Sequence, residues 1–389
     1  MEIAHDAPIP MRALLAGARR KQQSLLALTR QLVLAESPSD SKSHIDACVA
    51  LAAAHARRLG GRVKLHRQRH LGNTLEVRFA PPPTNPRNQA RPILLLGHLD
   101  TVWPIGTLKT MPCRIRDGRL CGPGTLDMKA GAAMAFTAIE LLLEAGLLRR
   151  EIVFLLNSDE EIGSAASRPI TESIARTCGA VFVLEPAQGL AYKTARKGIG
   201  NWRIEVAGVA AHAGVDFEKG ANALRELAHA IATVSSWTDL KRGLTVSVGV
   251  ASGGSKSNVI PAEAWAEVDV RIPRMADGKR IARKFAALKH RDKRCQLTVT
   301  GEINRPPMER SRGTVRLFQQ ARALAAEIGF TLDEASTGGG SDGNFTAALG
   351  IPTLDGMGAV GEGAHARQES VLIQHLAPRT ALLAGMLVR

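Results

Sequence analysis

Three short apolar runs, Ile93–Leu96, Glu151–Leu156 and Ala180–Leu184, constrain the fold of this chain more than any other feature. Each is too short for a buried helix and lacks the alternation of a half-exposed strand, so each reads as a strand buried on both faces. Such strands need helices over both faces of a sheet, and helical segments lie around them. Leu25, Leu28 and Leu32 repeat at helical spacing up to Ser37-Pro38, and Asp46–Leu59 is a helix closed by Gly60-Gly61. Met128–Leu148 is a third helix, rich in small residues, and the chain ends in a Leu-rich helix. Pro81-Pro82-Pro83 reads as a loop. The expected architecture is a mostly parallel α/β sheet.

The pattern changes near residue 200. Trp202–Val209, Leu244–Val250, Ala264–Ile272 and Gln296–Ile303 read as strands, while Ala221–Ser235 and Gly278–Leu288 read as helices. The order βαββαβ is the split βαβ, or ferredoxin-like, unit. Residues 197–307 are therefore expected to form a domain inserted into a discontinuous α/β domain of residues 1–196 and 308–389.

Hydrophobic residues at 45 % and charged residues at 22 % exclude a disordered chain. Lys+Arg 51 against Asp+Glu 36 leaves a net charge of +15, which suits polyanions or anionic substrates. One Tyr and 4 % aromatics leave few platforms for stacking bases, so nucleic acid is not an expected partner. No apolar stretch approaches the roughly 18 residues of a membrane helix. Arg12, Arg19, Arg20 and Lys21 interrupt the N-terminal apolar runs, so a cytoplasmic protein with no membrane partner is expected. The five cysteines are scattered and form no CxxC pair, which argues against a thiolate zinc site or a disulfide framework.

Acids and histidines recur just past the ends of the buried runs. His98 and Asp100 follow the first, Glu160 and Glu161 the second, and Glu185 the third. Asp127 stands where a helix begins, and His365 lies in a glycine-rich loop before the last helix. His98 and Asp100, two apart on an extended segment, point the same way, so the acid can orient the ring. Singly, each residue has an ordinary explanation: a surface pair, a solvated helix start, an N-cap. Together they fall at one edge of an open parallel sheet, where ligands bind in this architecture. Carboxylates gathered there repel one another unless cations neutralise them, and two divalent metals sharing one carboxylate would do so.

The segments His98-Leu-Asp100-Thr, Gly122-Pro-Gly-Thr-Leu-Asp127-Met-Lys, Asp159-Glu160-Glu161, Leu184-Glu185-Pro and Ala364-His365 resemble the signature of the co-catalytic di-zinc peptidases and deacylases. That family includes glutamate carboxypeptidase, acetylornithine deacetylase, succinyl-diaminopimelate desuccinylase, aminoacylase and the dipeptidases. The stretch from Gly97 to Gly131 is nearest the glutamate carboxypeptidase branch.

The resemblance implies that Asp127 bridges two Zn2+ ions, with Co2+ or Mn2+ chemically feasible. His98 and Glu185 would complete one site, and Glu161 and His365 the other. Asp100 would orient His98, and Glu160 would be the general base, its side chain diverging from that of Glu161 on an extended segment. In the inserted domain, Gly208-Val-Ala-Ala-His212-Ala-Gly214 and Ser257-Asn258-Val-Ile-Pro261 resemble lid motifs in which the His and Asn bind substrate. Phe217 stands where relatives often carry Pro. Arg305 is the leading candidate anchor for a substrate carboxylate, with Arg271 second. Gly338-Gly-Gly340-Ser341-Asp342 resembles a glycine-rich segment beside the substrate. The implied reaction is hydrolysis of an amide bond beside a free carboxylate, in a small peptide or N-acyl amino acid, by a homodimer joined through the lid. Deacylase and dipeptidase activities would keep the same ligands.

A rival reading takes Gly339-Gly340-Ser341-Asp342-Gly343 as a nucleophile elbow, with Asp355 or Glu362 and His365 completing a triad in the order Ser, acid, His. It requires a buried strand leading into Gly339, which Ala335-Ser-Thr-Gly does not supply. It also leaves His98, Asp127, Glu161 and Glu185 without a role.

Overall fold

The structure, a computed structural model, describes residues 10–81 and 90–388; Pro82 and Pro83 of the expected loop lie outside these. Its packing divides the chain into two units. One comprises residues up to Ala195, Arg310–Ser336 and the chain from Ser341 onward. The other comprises Arg196–Glu309 and Thr337–Gly340.

The first unit is built on a six-stranded sheet in the order Arg62–His66, Thr74–Phe79, Ile152–Asn157, Ile93–His98, Ala180–Val183, Thr353–Leu354. The last four strands run parallel. Ile93, Leu95, Phe154 and Phe182 pack on one face, against the helices Lys42–Arg58, Ala130–Glu144 and Leu376–Val388. Leu94, Leu96, Val153, Leu155, Val181 and Val183 pack on the other, against Ile174 of the helix Arg168–Ala175. Both faces are dry, which is why the runs show no alternation. Phe136 meets Phe154 edge to face at 4.9 Å, tying the small-residue helix to the sheet.

The sequence pattern does not mark every strand, the edge pair of this sheet among them. Arg62–His66 and Thr74–Phe79 form an antiparallel pair at one edge. Arg62 and Lys64 point charge from the outermost strand, as expected of an edge that must not pair further. The short strands Arg114–Arg116 and Arg119–Cys121 are likewise unmarked by periodicity. They form a hairpin whose Asp117-Gly118 turn has φ values of 49° and 70°. Asp-Gly between alternating residues is the signal that would have found it. Ser370–Leu372 pairs with Arg119–Cys121 in a small separate sheet.

The second unit has strands Gly198–Ala207, Thr245–Gly253, Glu263–Ile272 and Gln296–Arg305, with helices Ala223–Ser235 and Met275–Ala286. The sheet order puts the first strand between the third and the fourth, all antiparallel, which is the βαββαβ arrangement. Trp202 stacks on Phe285 at 4.5 Å inside its core. Among the described residues, no helix is long and apolar enough to cross a membrane.

Candidate metal centre

Strand register assembles the centre. The strand Ile93–His98 lies between Ile152–Asn157 and Ala180–Val183, with His98 opposite Asn157 and Leu96 opposite Val183. The residues just beyond three neighbouring parallel strands therefore meet at one edge, at the strand spacing of about 4.8 Å. His98 is 1 % exposed and its Nε2 lies 3.7 Å from Glu185.

Asp127 comes from a different element. The expected helix from Met128 begins only at Ala130; residues Thr125–Lys129 form a wide turn in which Asp127 has φ −113° and ψ 93°. A Cβ at Gly131 would collide with the Leu184 carbonyl oxygen, so glycine lets the helix start press directly on the strand end that carries Glu185. One Asp127 oxygen lies 3.2 Å from His98 Nε2 and the other 3.5 Å from His365 Nε2. His365, at φ 61°, lies 3.1 Å from Glu161. One carboxylate is thus shared between two imidazoles, each with a further carboxylate beside it.

Glu160–Ile162 is a 3-10 turn, not the extended segment expected. Successive residues of such a turn still point about 120° apart, so the two glutamates diverge. Glu161 faces His365 and also clusters with ligand atoms of His98 and Asp127, whereas Glu160 has an oxygen clustered with ligand atoms of His98 and Glu185. Proximity alone therefore does not separate a base from a ligand.

Asp100 is fully buried and faces His98 Nδ1 twice, through its backbone carbonyl at 3.0 Å and its carboxylate at 3.4 Å. The other carboxylate oxygen accepts the Ser39 hydroxyl at 2.8 Å and the Glu161 amide at 3.1 Å. It thereby fixes a histidine on one strand end relative to a glutamate on the next.

Charge follows from this packing. Burial alone would push the Asp127 carboxyl up, but His365 and His98 hold it well below the usual carboxylate range. Burial likewise opposes protonation of His98, yet Asp100 and Asp127 outweigh it and raise the ring well above its ordinary value. Hydrogen bonds to Asp127 and Glu161 push His365 up to about 10. Carboxylate and imidazole donors gathered in this way fit divalent cations such as zinc.

The serine reading does not survive. Ser341 is fully buried, and its hydroxyl donates to Asp355 at 2.6 Å instead of to a histidine. His365 is engaged by Asp127 and Glu161. A short strand, Glu334–Thr337, does precede the glycines, but it is half-exposed and not the buried strand an elbow requires. Asp342 is also turned inward, accepting from Asn157 at 2.6 Å and from Ser164. It anchors the loop that carries Glu160 and Glu161.

In the second unit, His212 and Asn258 lie on paired segments: His212 bridges to Val259, and the Ala213 amide donates to the Asn258 carbonyl at 3.0 Å. The His212 ring accepts the Gly214 amide at 3.1 Å. Arg305 is 6 % exposed, not a surface residue, and packs against Gly340, where a Cβ would come within 2.7 Å of its side chain. The Arg271 guanidinium is paired with Asp269 at 2.9 Å, which weakens it as a carboxylate anchor.

Sequence reasoning missed Glu369. Its carboxylate accepts backbone N–H groups of Gly124, Leu126 and Asp127. No local pattern marks it, because its partners lie more than 240 residues away.

Carboxylates and imidazoles converging at the edge of a parallel sheet are the equipment of a metal-dependent hydrolase. Residues 94–389 match peptidase family M20/M25/M40. Carboxypeptidase G2 of a Pseudomonas species is 32 % identical over 308 residues, covering 76 % of this chain and 73 % of that protein. A succinyl-diaminopimelate desuccinylase of Stenotrophomonas maltophilia is 29 % identical over 310 residues, covering 74 % and 81 %. Among solved structures, the aminopeptidase PepT of Bacillus cereus superposes with a TM-score of 0.79 at 22 % identity, over 94 % of this chain and 98 % of that one. The chain belongs to the M20/M25/M40 family of metal-dependent peptidases.

Proposed function

We propose that this protein hydrolyses an amide bond adjacent to a free carboxylate, in the manner of a glutamate carboxypeptidase, with two zinc ions per subunit. The observation that carries the reading is Asp127 lying between His98 and His365, each with a second carboxylate at hand. His98, Asp127 and Glu185 would hold one ion, and His365, Asp127 and Glu161 the other. When bound, the pair supplies Lewis-acid activation of the amide carbonyl and of the attacking water.

The chain's own residues do the rest. Glu160 takes the proton of the attacking water and returns it to the leaving nitrogen. Asp100 keeps the Nδ1 proton of His98 in place, leaving Nε2 available as a ligand. His212 and Asn258 donate to the oxyanion that develops on the carbonyl. Arg305, packed beside Gly340, takes the substrate carboxylate. Residues 1–196 and 308–389 act as the catalytic domain, and residues 197–307 as a lid and dimer contact, in a cytoplasmic enzyme.

The likeness to desuccinylases supports a second reading, N-acyl-amino-acid deacylation, which would use the same ligands. A panel of N-acyl glutamates, N-succinyl amines and dipeptides, assayed with added zinc and then with a chelator, tests both. Chelator-sensitive release of a C-terminal glutamate supports the first. Cleavage confined to N-succinyl substrates supports the second. Full activity after stripping the metal sinks both.

A further inference from the structure

Glu369 lies four residues after His365 and belongs to neither group of clustered ligand atoms. It is 1 % exposed, yet its carboxylate is fully occupied. One oxygen accepts the N–H of Leu126 at 2.9 Å and of Asp127 at 3.1 Å. The other accepts the N–H of Gly124 at 2.9 Å and the indole N–H of Trp103 at 2.8 Å. Its own backbone carbonyl accepts the Gly122 amide at 3.2 Å.

These donors have a common origin. Gly124, Leu126 and Asp127 lie in and just before the wide turn Thr125–Lys129 that leads into the helix Ala130–Glu144, and Glu369 is the acceptor for their N–H groups. Left without an acceptor in a buried turn, such groups destabilise the fold. A carboxylate, an acceptor at both oxygens, satisfies all three at once. Trp103 adds the loop that follows His98 and Asp100. One buried acid therefore joins the segments bearing His98, Asp127 and His365.

We propose that Glu369 is a positioning residue that sets the Asp127 carboxylate between the two histidines. The proposal rests on the reading of Asp127 as the bridging ligand. Glutamine in place of Glu369 has the same shape but only one accepting oxygen. Its NH2 would face two N–H groups, and the Asp127 turn would lose part of its anchorage. Partners of this kind behind a ligand typically govern about 10–100-fold in metal affinity.

The test uses the full chain stripped of metal and titrated with Co2+, read by the visible absorption of bound cobalt and by competition with a chromogenic chelator. Thermal unfolding of each metal-free form is measured alongside. Glu369→Gln is expected to fold and to bind cobalt about 10–100-fold more weakly, with an altered spectrum. Trp103→Phe, which deletes one of the four donors, should weaken binding a few-fold. Wild-type cobalt affinity in folded Glu369→Gln, with only the unfolding midpoint lowered, makes the residue structural and overturns the proposal. If Glu369→Gln does not fold, Trp103→Phe decides: weaker cobalt binding supports the proposal, and unchanged binding overturns it. Asp127→Ala is the control for the underlying reading. If it keeps both equivalents of cobalt, the bridging role fails and the proposal with it. If it loses them while Glu369→Gln and Trp103→Phe bind normally, only the proposal fails.

Discussion

Asp100 offers a sharp separation of folding from metal binding, because its two oxygens have different work. In Asp100→Asn the amide oxygen can replace the carboxylate oxygen that accepts from Ser39 and the Glu161 amide, at 2.8 and 3.1 Å in the wild type. The amide NH2 then occupies the place of the oxygen lying 3.4 Å from His98 Nδ1. An N–H facing that nitrogen favours the ring with its proton on Nε2, the tautomer that cannot ligate. The loss expected is about 10–100-fold in zinc affinity, or about 1.4–2.8 kcal/mol, with stability almost unchanged. The loss stays partial because the Asp100 backbone carbonyl still accepts from Nδ1 at 3.0 Å. Asp100→Ala should behave differently. The Ser39 hydroxyl can turn to the Thr101 carbonyl, 3.4 Å away, but the Glu161 amide is left without its acceptor. A further loss of about 1–3 kcal/mol in folding stability follows. Zinc content after dialysis against a competing chelator, together with urea unfolding of the metal-free proteins, reads the two effects separately. Wild-type zinc affinity in folded Asp100→Asn would refute the argument, because it would mean that the carboxylate has no hold on the tautomer.

Other outcomes test the neighbouring assignments. Glu160→Ala should keep two equivalents of zinc while turnover falls about 10²–10⁴-fold, as loss of a general base does; loss of a zinc equivalent would make Glu160 a ligand. Without metal, His98 and His365 stay protonated above the ordinary histidine range, His365 up to about 10. Zinc must displace those protons, so its apparent affinity should climb with pH toward about 10 and fall in acid, by about tenfold per pH unit for each proton released. A chelator-competition profile that is flat in pH would contradict this. For the lid, His212→Ala mixed with Glu160→Ala under subunit exchange should recover activity if His212 serves the partner's site, and no recovery after confirmed exchange would place it elsewhere.

Much of the architecture is legible in local pattern, because the signals are local. Ile93–Leu96 and Ala180–Leu184 could only be strands with both faces covered, and the alternation from Trp202 to Ile303 dictates a βαββαβ unit whatever surrounds it. The ends of those runs also mark where His98, Glu161 and Glu185 stand. Periodicity fails at the short strands Arg114–Arg116 and Arg119–Cys121, whose stability comes from pairing with each other and with Ser370–Leu372. It fails again just before the helix Ala130–Glu144, where Asp127 is non-helical and its N–H donates to the distant Glu369.

What the sequence determined is thus which elements form and which chemistry stands at their ends. The tertiary structure decided which ends meet. His365 reaches Asp127 and Glu161 only because the tertiary fold brings a loop more than 200 residues later in the chain, between the strands Gly361–Glu362 and Ser370–Leu372 of the small sheet, to the ends of the parallel strands. Hydrogen-bond register between the strands sets which residues stand side by side, and a one-residue slip would turn His98 to the opposite face of the sheet. Neither register nor long-range closure has a local signature, because both are free energies of the whole fold.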